Sequence, residues 1–291
     1  MAEKRKFYGM RNDYMFHAVL QKNEEVLRNL LATLLEIDEA EIESCHIENP
    51  IELGKEIEGK ECILDVKLTL NNDKVINIEL QVYKQTYWIN RSLLYWARTY
   101  DNLKSGQDYS MLLPAYHIGI LDFTLFENHP KFMAQYQILD VEDGYLYSDK
   151  LCIKVLDLTQ LEKAKQEPET NKKLLKWASI FKAETLEELE QLASGEEVFE
   201  NMVVTMKKLS EDEKIRMQCE AREDYERSLL TEYNAGKSEG IASERRNTEK
   251  ERQRAEKESQ RAEKESQRAE KESQRADALA AEVERLRALL K

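Results

Sequence analysis

The chain has 291 residues, with 44 Lys+Arg against 57 Asp+Glu for a net charge of −13. No apolar run approaches the roughly 20 residues that span a bilayer, which excludes a membrane-spanning helix, and the acidic balance argues against a protein that coats nucleic acid through Lys and Arg. Cys45, Cys62, Cys152 and Cys219 lie far apart with no CxxC pair, and the start MAEKRKFYGMRNDYMF lacks an apolar secretory stretch. No zinc or disulfide framework is expected from that spacing, and a cytoplasmic location is.

Residues 1–160 carry a charge of −9 and most of the alternating, strand-like sequence. They are expected to form a mixed α/β domain. Asn12 to Gln21 reads as a short helix behind an Asn/Asp cap. Asn23 caps a second helix, on which Val26, Leu30, Leu31, Leu34 and Leu35 make one apolar stripe. The segment KECILDVKLTL (60–70) alternates with period two: Cys62, Leu64, Val66, Leu68 and Leu70 face one way, Ile63, Asp65, Lys67 and Thr69 the other. Asn71-Asn72-Asp73 signals a turn, and KVINIELQV (74–82) alternates again. Ile76, Ile78, Leu80 and Val82 oppose Val75, Asn77, Glu79 and Gln81. A hairpin follows, greasy against the core and presenting Asp65, Lys67, Glu79 and Gln81 on a solvated side.

Residues 84–104 are expected to form a long helix with Tyr87, Arg91, Tyr95 and Arg98 along one flank, ended by Ser105-Gly106. Strand-like segments follow at 115–123, 131–141 and 150–158. His17 and His117 fall in apolar-periodic segments and read as core or edge residues; His46 and His129 fall in apparent loops. From Thr159 the pattern is helical. An amphipathic stretch covers 170–182, and Thr185-x-x-Glu188 and Ser210-x-x-Glu213 read as capping boxes. The region 161–235 is expected to be a helical unit, with Gly236 and Gly240 as a hinge.

The tail, 236–291, contains RAEKESQ three times without change, at 254–260, 261–267 and 268–274. Its seven-residue period aligns Ala255, Ala262, Ala269 and Ala276, but the other seam positions are Glu258, Glu265 and Glu272 until Leu279 and Leu286. Such a seam has little to bury, so a single solvated helix is expected, with a weak coiled coil at its end as the route to a homo-oligomer.

Chemistry concentrates on the hairpin. Carboxylates on neighbouring strands suit a hard divalent cation: Mg²⁺ takes one or two carboxylates, keeps several waters and accepts phosphate oxygen. Asp65 and Glu79 answer to that pattern, with Gln81 and Lys67 on the same face. By periodicity alone, an ordinary exposed polar face is the better explanation of these residues. No Ser/His/Asp set, Cys/His set or phosphate-binding glycine loop is present.

The order helix, strand with Asp, strand with Glu-x-Gln, then a helix with an Arg/Tyr flank resembles the PD-(D/E)XK nuclease superfamily. More narrowly, RNDYMF (11–16), ILDVKL (63–68), NIELQ (77–81), YWINRSLLYWARTY (87–100), LKSGQDYSMLLPAYHIGILDF (103–123) and GKSEG (236–240) resemble the bacterial Rpn family of recombination-promoting nucleases or transposases. That resemblance implies a restriction-endonuclease-like mixed sheet flanked by helices and a DNA endonuclease using Mg²⁺ or Mn²⁺. Asp65 and Glu79 would be its acidic residues, and the backbone carbonyl of Leu80 a third metal ligand. Leu64 replaces the Pro of the motif and Gln81 its Lys, so either Gln81 positions the attacking water or Lys67 supplies the missing charge. Asp13 falls where such nucleases often carry an accessory acid, and Arg91 and Tyr95 are accessory candidates on the next helix. The competing expectation is a nuclease-like fold without catalysis, serving as an interaction module. With its acidic balance, the chain is expected to hold DNA weakly, and through the metal.

Overall fold

Two asparagines begin the first two helices. The Asn12 side chain accepts from the Met15 amide at 3.1 Å to open α1 (Asp13–Lys22), and that of Asn23 accepts from the Val26 amide at 3.2 Å to open α2 (Glu24–Leu35). The computed structural model describes residues 6–51, 53 and 65–289; the expected strand residues 60–64, with Cys62 and Leu64, lie outside the described residues. A short strand β1 (Cys45–Ile47) carries His46, so this histidine is not in a loop. Next, β2 (Val66–Leu70) and β3 (Lys74–Gln81) form the expected hairpin, with Val66 opposite Ile78 and Leu70 opposite Lys74. Its turn is left-handed at Asn71 and Asn72, with φ of 49° and 55°, a state asparagine tolerates better than most residues.

The next helix, α3 (Trp88–Tyr100), is shorter than the 84–104 expected from the sequence. Asn102 stops it, because its side chain exchanges two hydrogen bonds with the Leu113 backbone and ties the chain to the strand ahead. That strand is β4 (Ala115–Leu121), followed by β5 (Met133–Leu139) and β6 (Leu146–Asp157). The six strands lie in the order β1-β2-β3-β4-β6-β5. The pairs β3/β4 and β4/β6 are parallel, and β1/β2, β2/β3 and β5/β6 antiparallel. The chain then continues through α4 (Leu161–Ala164), α5 (Lys172–Lys182), α6 (Leu186–Ala193), α7 (Glu197–Glu211) and α8 (Glu213–Leu289).

Period-two alternation sends the strands' side chains to two faces, and both are covered. On one, Val66, Leu68, Ile76, Ile78, Ile118 and Ile120 pack with α1, α2 and α5–α7 around Phe16, Trp177, Phe181 and Phe199. Residues 161–227 thus supply part of the core that α1 and α2 share with the sheet. On the other face, α3 lays Trp88 against Leu121, Phe123, Leu151, Ile153 and Val155. The polar side of the hairpin belongs to this second face, so its two acids are not solvated as expected, while Lys67 and Gln81 at its margin stay partly exposed. Asp65 is 6% exposed and Glu79 0%.

Two further expectations are corrected. Ser210 lies inside α7, and α8 is capped instead by Asp212, whose side chain accepts from the Lys214 and Ile215 amides at 2.9 and 3.3 Å. Gly236 and Gly240 form no hinge; α8 runs through both. Each exposed glycine costs a helix only about 1 kcal/mol relative to Ala, too little to break one rich in Glu, Lys, Arg and Ala. The described residues divide into two compact parts between Arg227 and Ser228. The first part takes Ile215 and Cys219 of α8 into its core. In the second, every described side chain is exposed. No described helix is long and apolar enough to cross a membrane.

Candidate active site

Asp65 immediately precedes β2, and Glu79 lies near the carboxyl end of β3. The ladder places Val66 opposite Ile78, so Asp65 and Glu79 project from neighbouring strands to the same, α3-covered face. Three observations fix this pair. The Asn77 amide nitrogen, two residues before Glu79, donates to Asp65 Oδ2 at 3.3 Å. On the backbone, Asn49 brackets the strand start, donating to the Asp65 carbonyl at 2.7 Å and accepting from the Lys67 amide at 2.8 Å. Arg91, one turn into α3, donates to Glu79 Oε1 and, through Nη1, to Gln85 Oε1 at 2.7 Å.

The electrostatics follow from this burial. The Asp65 carboxyl is pushed up to about 7, first by loss of solvent and then by the negative charge of Glu79; the hydrogen bond from Asn77 opposes both. Arg91 supplies a counter-charge to the buried Glu79 and itself rests 5.3 Å over the ring of Tyr95. His117 on β4 lies beside the pair, fully buried, with Nε2 3.3 Å from Glu79 Oε2 and Nδ1 3.2 Å from the Asn77 amide.

Other candidates lie at the margin. Lys67 points its ammonium to Glu48 at 3.0 Å, not to the acids, and the Gln81 amide donates to the Tyr83 carbonyl at 3.2 Å. Leu80 sends its side chain into the main core and pairs through its backbone with Ile120. Asp13 is close enough to raise Asp65, but Arg222 of α8 grips its two carboxylate oxygens through Nε at 3.0 Å each. The acidic character extends to Glu226, which burial and then the charge of Asp13 push up to about 7. Cys152 and Cys219 are raised to about 11 and about 12, chiefly by burial, which argues against thiolate chemistry at either.

Of the expected site residues, Asp65, Glu79, Arg91 and Tyr95 come together, whereas Lys67 and Gln81 turn to other partners; Asn77, Gln85 and His117 join them, without a role expected from the sequence. One signal was available. In AYHIGIL, period two puts Ala115, His117 and Gly119 on a common side, a histidine between two small residues on a strand otherwise apolar. Gly119 is opposite Glu79 in the parallel ladder, and a Cβ there would collide with the indole of Trp88. The bare position lets α3 settle on the sheet and carries Arg91 to Glu79.

No group of three or more His, Cys, Asp and Glu side chains forms a metal cage among the described residues. Two buried carboxylates are nonetheless a donor set of the kind Mg²⁺ takes. Glu79 Oε2, moreover, has no hydrogen-bond partner among the described residues, so one oxygen remains to be satisfied. The donors therefore fit a hard divalent ion. Compared with known families, residues 10–235 match the model of the PD-(D/E)XK nuclease family transposase. No curated protein and no solved structure matches the chain.

Proposed function

Because the chain belongs to the PD-(D/E)XK nuclease family transposases, we propose that it is a metal-dependent DNA endonuclease that hydrolyses phosphodiester bonds in recombination or transposon-like mobility. Nucleases of this superfamily typically use divalent metals. The observation that supports the reading is the buried carboxylate pair: Asp65 and Glu79 share a face at the end of the sheet, close enough that Glu79 raises Asp65. Two acids buried together without an equal number of cations are costly, and structures retain such pairs where a cation or a proton is part of the chemistry.

Asp65, Glu79 and the backbone carbonyl of Leu80 would hold Mg²⁺ or Mn²⁺. A divalent ion held by these residues would supply a water of lowered pKa and offset the charge that develops on the phosphoryl oxygens. Arg91 orients Glu79 and supplies its counter-charge. Gln81 donates an amide N–H to the Tyr83 carbonyl, which leaves its oxygen to accept a hydrogen bond from, and so orient, the attacking water. Lys67 is held by a half-exposed ion pair to Glu48, a weak tether that lets the ammonium reach a phosphate. With −9 on residues 1–160, DNA binding is weak and metal-dependent. At the far end of α8, Leu279 and Val283 are exposed in the expected heptad and support homo-oligomerisation through that helix.

The test is nicking of supercoiled plasmid with Mg²⁺ or Mn²⁺. Wild type cleaves; Asp65→Ala and Glu79→Ala each lose at least about a thousandfold in rate. Cleavage surviving both substitutions overturns the site. The second reading, a nuclease-like interaction module, is favoured by one observation: Glu79, Asp13 and Lys67 all have partners within the protein. Absence of cleavage by folded wild type with either metal decides for it.

A further inference from the structure

We infer that His117 is a positioning residue for Glu79, and that Asn77 links it to Asp65, so that one buried relay across β2, β3 and β4 holds both acids. The inference deepens the proposed metal site and rests on that reading.

The register makes the relay. Asn77 is opposite Lys67 on β2 and opposite His117 on β4, and its side chain lies between Asp65 and the imidazole. Its amide nitrogen is 3.3 Å from Asp65 Oδ2 and 3.2 Å from His117 Nδ1. An amide NH₂ carries two hydrogens and accepts nothing, so both neighbours must accept. With Asp65 ionised, as it must be to hold a cation, the opposite amide orientation would set the Asn77 oxygen against a carboxylate oxygen. His117 Nδ1 is therefore an acceptor, and the ring proton sits on Nε2.

That nitrogen is 3.3 Å from Glu79 Oε2, within ion-pair distance but not aligned as a hydrogen bond, and neither atom has a hydrogen-bond partner among the described residues, so each is the polar group left for the other. Both side chains are buried, at 0% and 1% exposure. The other carboxylate oxygen belongs to Arg91. Glu79 is thus approached from two sides by different chemistry, bonded by a guanidinium from α3 and faced by an imidazole nitrogen from β4. Packing alone does not account for His117. Trp88 and Tyr95 flank its ring at 5.9 and 6.3 Å, and a phenyl ring would satisfy those contacts without burying two nitrogens. The polar atoms have a use where the carboxylates must stay fixed, because partners behind a metal's ligands orient them and raise affinity.

The experiment compares full-length wild type, His117→Phe, His117→Gln and Asp65→Ala by Mn²⁺ binding in electron paramagnetic resonance, with thermal melting as the control for folding. His117→Phe should melt near wild type but bind Mn²⁺ at least about tenfold more weakly. His117→Gln, which restores an N–H at the same reach, should stay within about threefold of wild type. Wild-type affinity in His117→Phe, or no rescue by His117→Gln, overturns the positioning role while the site stands. Mn²⁺ binding indifferent to Asp65→Ala overturns the site and the relay with it. A second measurement needs no variant: ¹H–¹⁵N correlations of the His117 ring in wild type should show the Nε2–H tautomer, and the Nδ1–H tautomer overturns the relay even if His117→Phe does not fold.

Discussion

Ile78 and Glu79 are neighbours on β3, both 0% exposed, and they face opposite sides of the same sheet. Under Ile78 lies the core shared by α1, α2 and α5–α7, built from aliphatic and aromatic side chains that gain by leaving water. Around Glu79 the buried space is filled with Asp65, Asn77 and His117 and closed by the half-buried Arg91, groups that lose by leaving water and are kept through one another. Burial therefore has two meanings in this sheet. On one side it is the source of stability, and on the other it is a burden that the first side supports.

The sharpest way to break that comparison is to mutate each side. Ile78→Ala should lower unfolding free energy by about 2–5 kcal/mol in a denaturant titration. Asp65→Asn, an isostere that removes one of two like charges, should leave stability at pH 8 unchanged or raised. Equal losses from both would mean that the α3 side is an ordinary core.

A smaller effect separates the sides by pH. Asp65 and Glu226 are raised from 3.8 and 4.5 to about 7 each, so the folded chain binds their protons more tightly than the unfolded chain. Their contribution is most favourable below about pH 4 and is lost as pH rises through about 7. Stability should therefore fall by up to about 5 kcal/mol between pH 5 and pH 8. In Asp65→Asn the slope should be visibly shallower. Millimolar Mg²⁺ should recover part of the loss at pH 8 in wild type and none in Asp65→Asn.

Gly119→Ala tests how the polar side is closed. The added methyl group should displace Trp88, cost about 1–3 kcal/mol and shift tryptophan emission to the red. Least of all, Gly236→Ala with Gly240→Ala should raise helicity of α8 and its local stability by about 1 kcal/mol per site, without moving the melting of the first part.

The hairpin, its turn and the two capped helices were legible because each is written locally, in alternation over 66–70 and 74–81 and in Asn12 and Asn23. Asp65 and Glu79 could be placed on one face by counting. What counting could not give was the cover. Whether a polar strand face meets water or a helix depends on α3, packed there through Gly119, a contact no residue spacing reports. His117 went without a role for a related reason. Its partners Asn77 and Glu79 come from another strand, and the parallel register that brings them together is set by the connection through α3. The cap at Asp212 was misplaced to Ser210 because both offer an oxygen ahead of a helical run, and only the end of α7 at Glu211 decides between them.

Gly119 and Trp88 occupy one volume between them, and this constrains what sequences the fold can accept. Positions 88 and 119 cannot drift independently: a larger residue at 119 requires a smaller one at 88, and either change alone moves the helix that bears Arg91. Across relatives the two positions should covary in size, and a chain with an alanine or serine at 119 should carry a residue slimmer than tryptophan at 88. Substituted together, Gly119→Ala and Trp88→Leu should be less damaging than the sum of the single changes, so the pair behaves as one inherited letter.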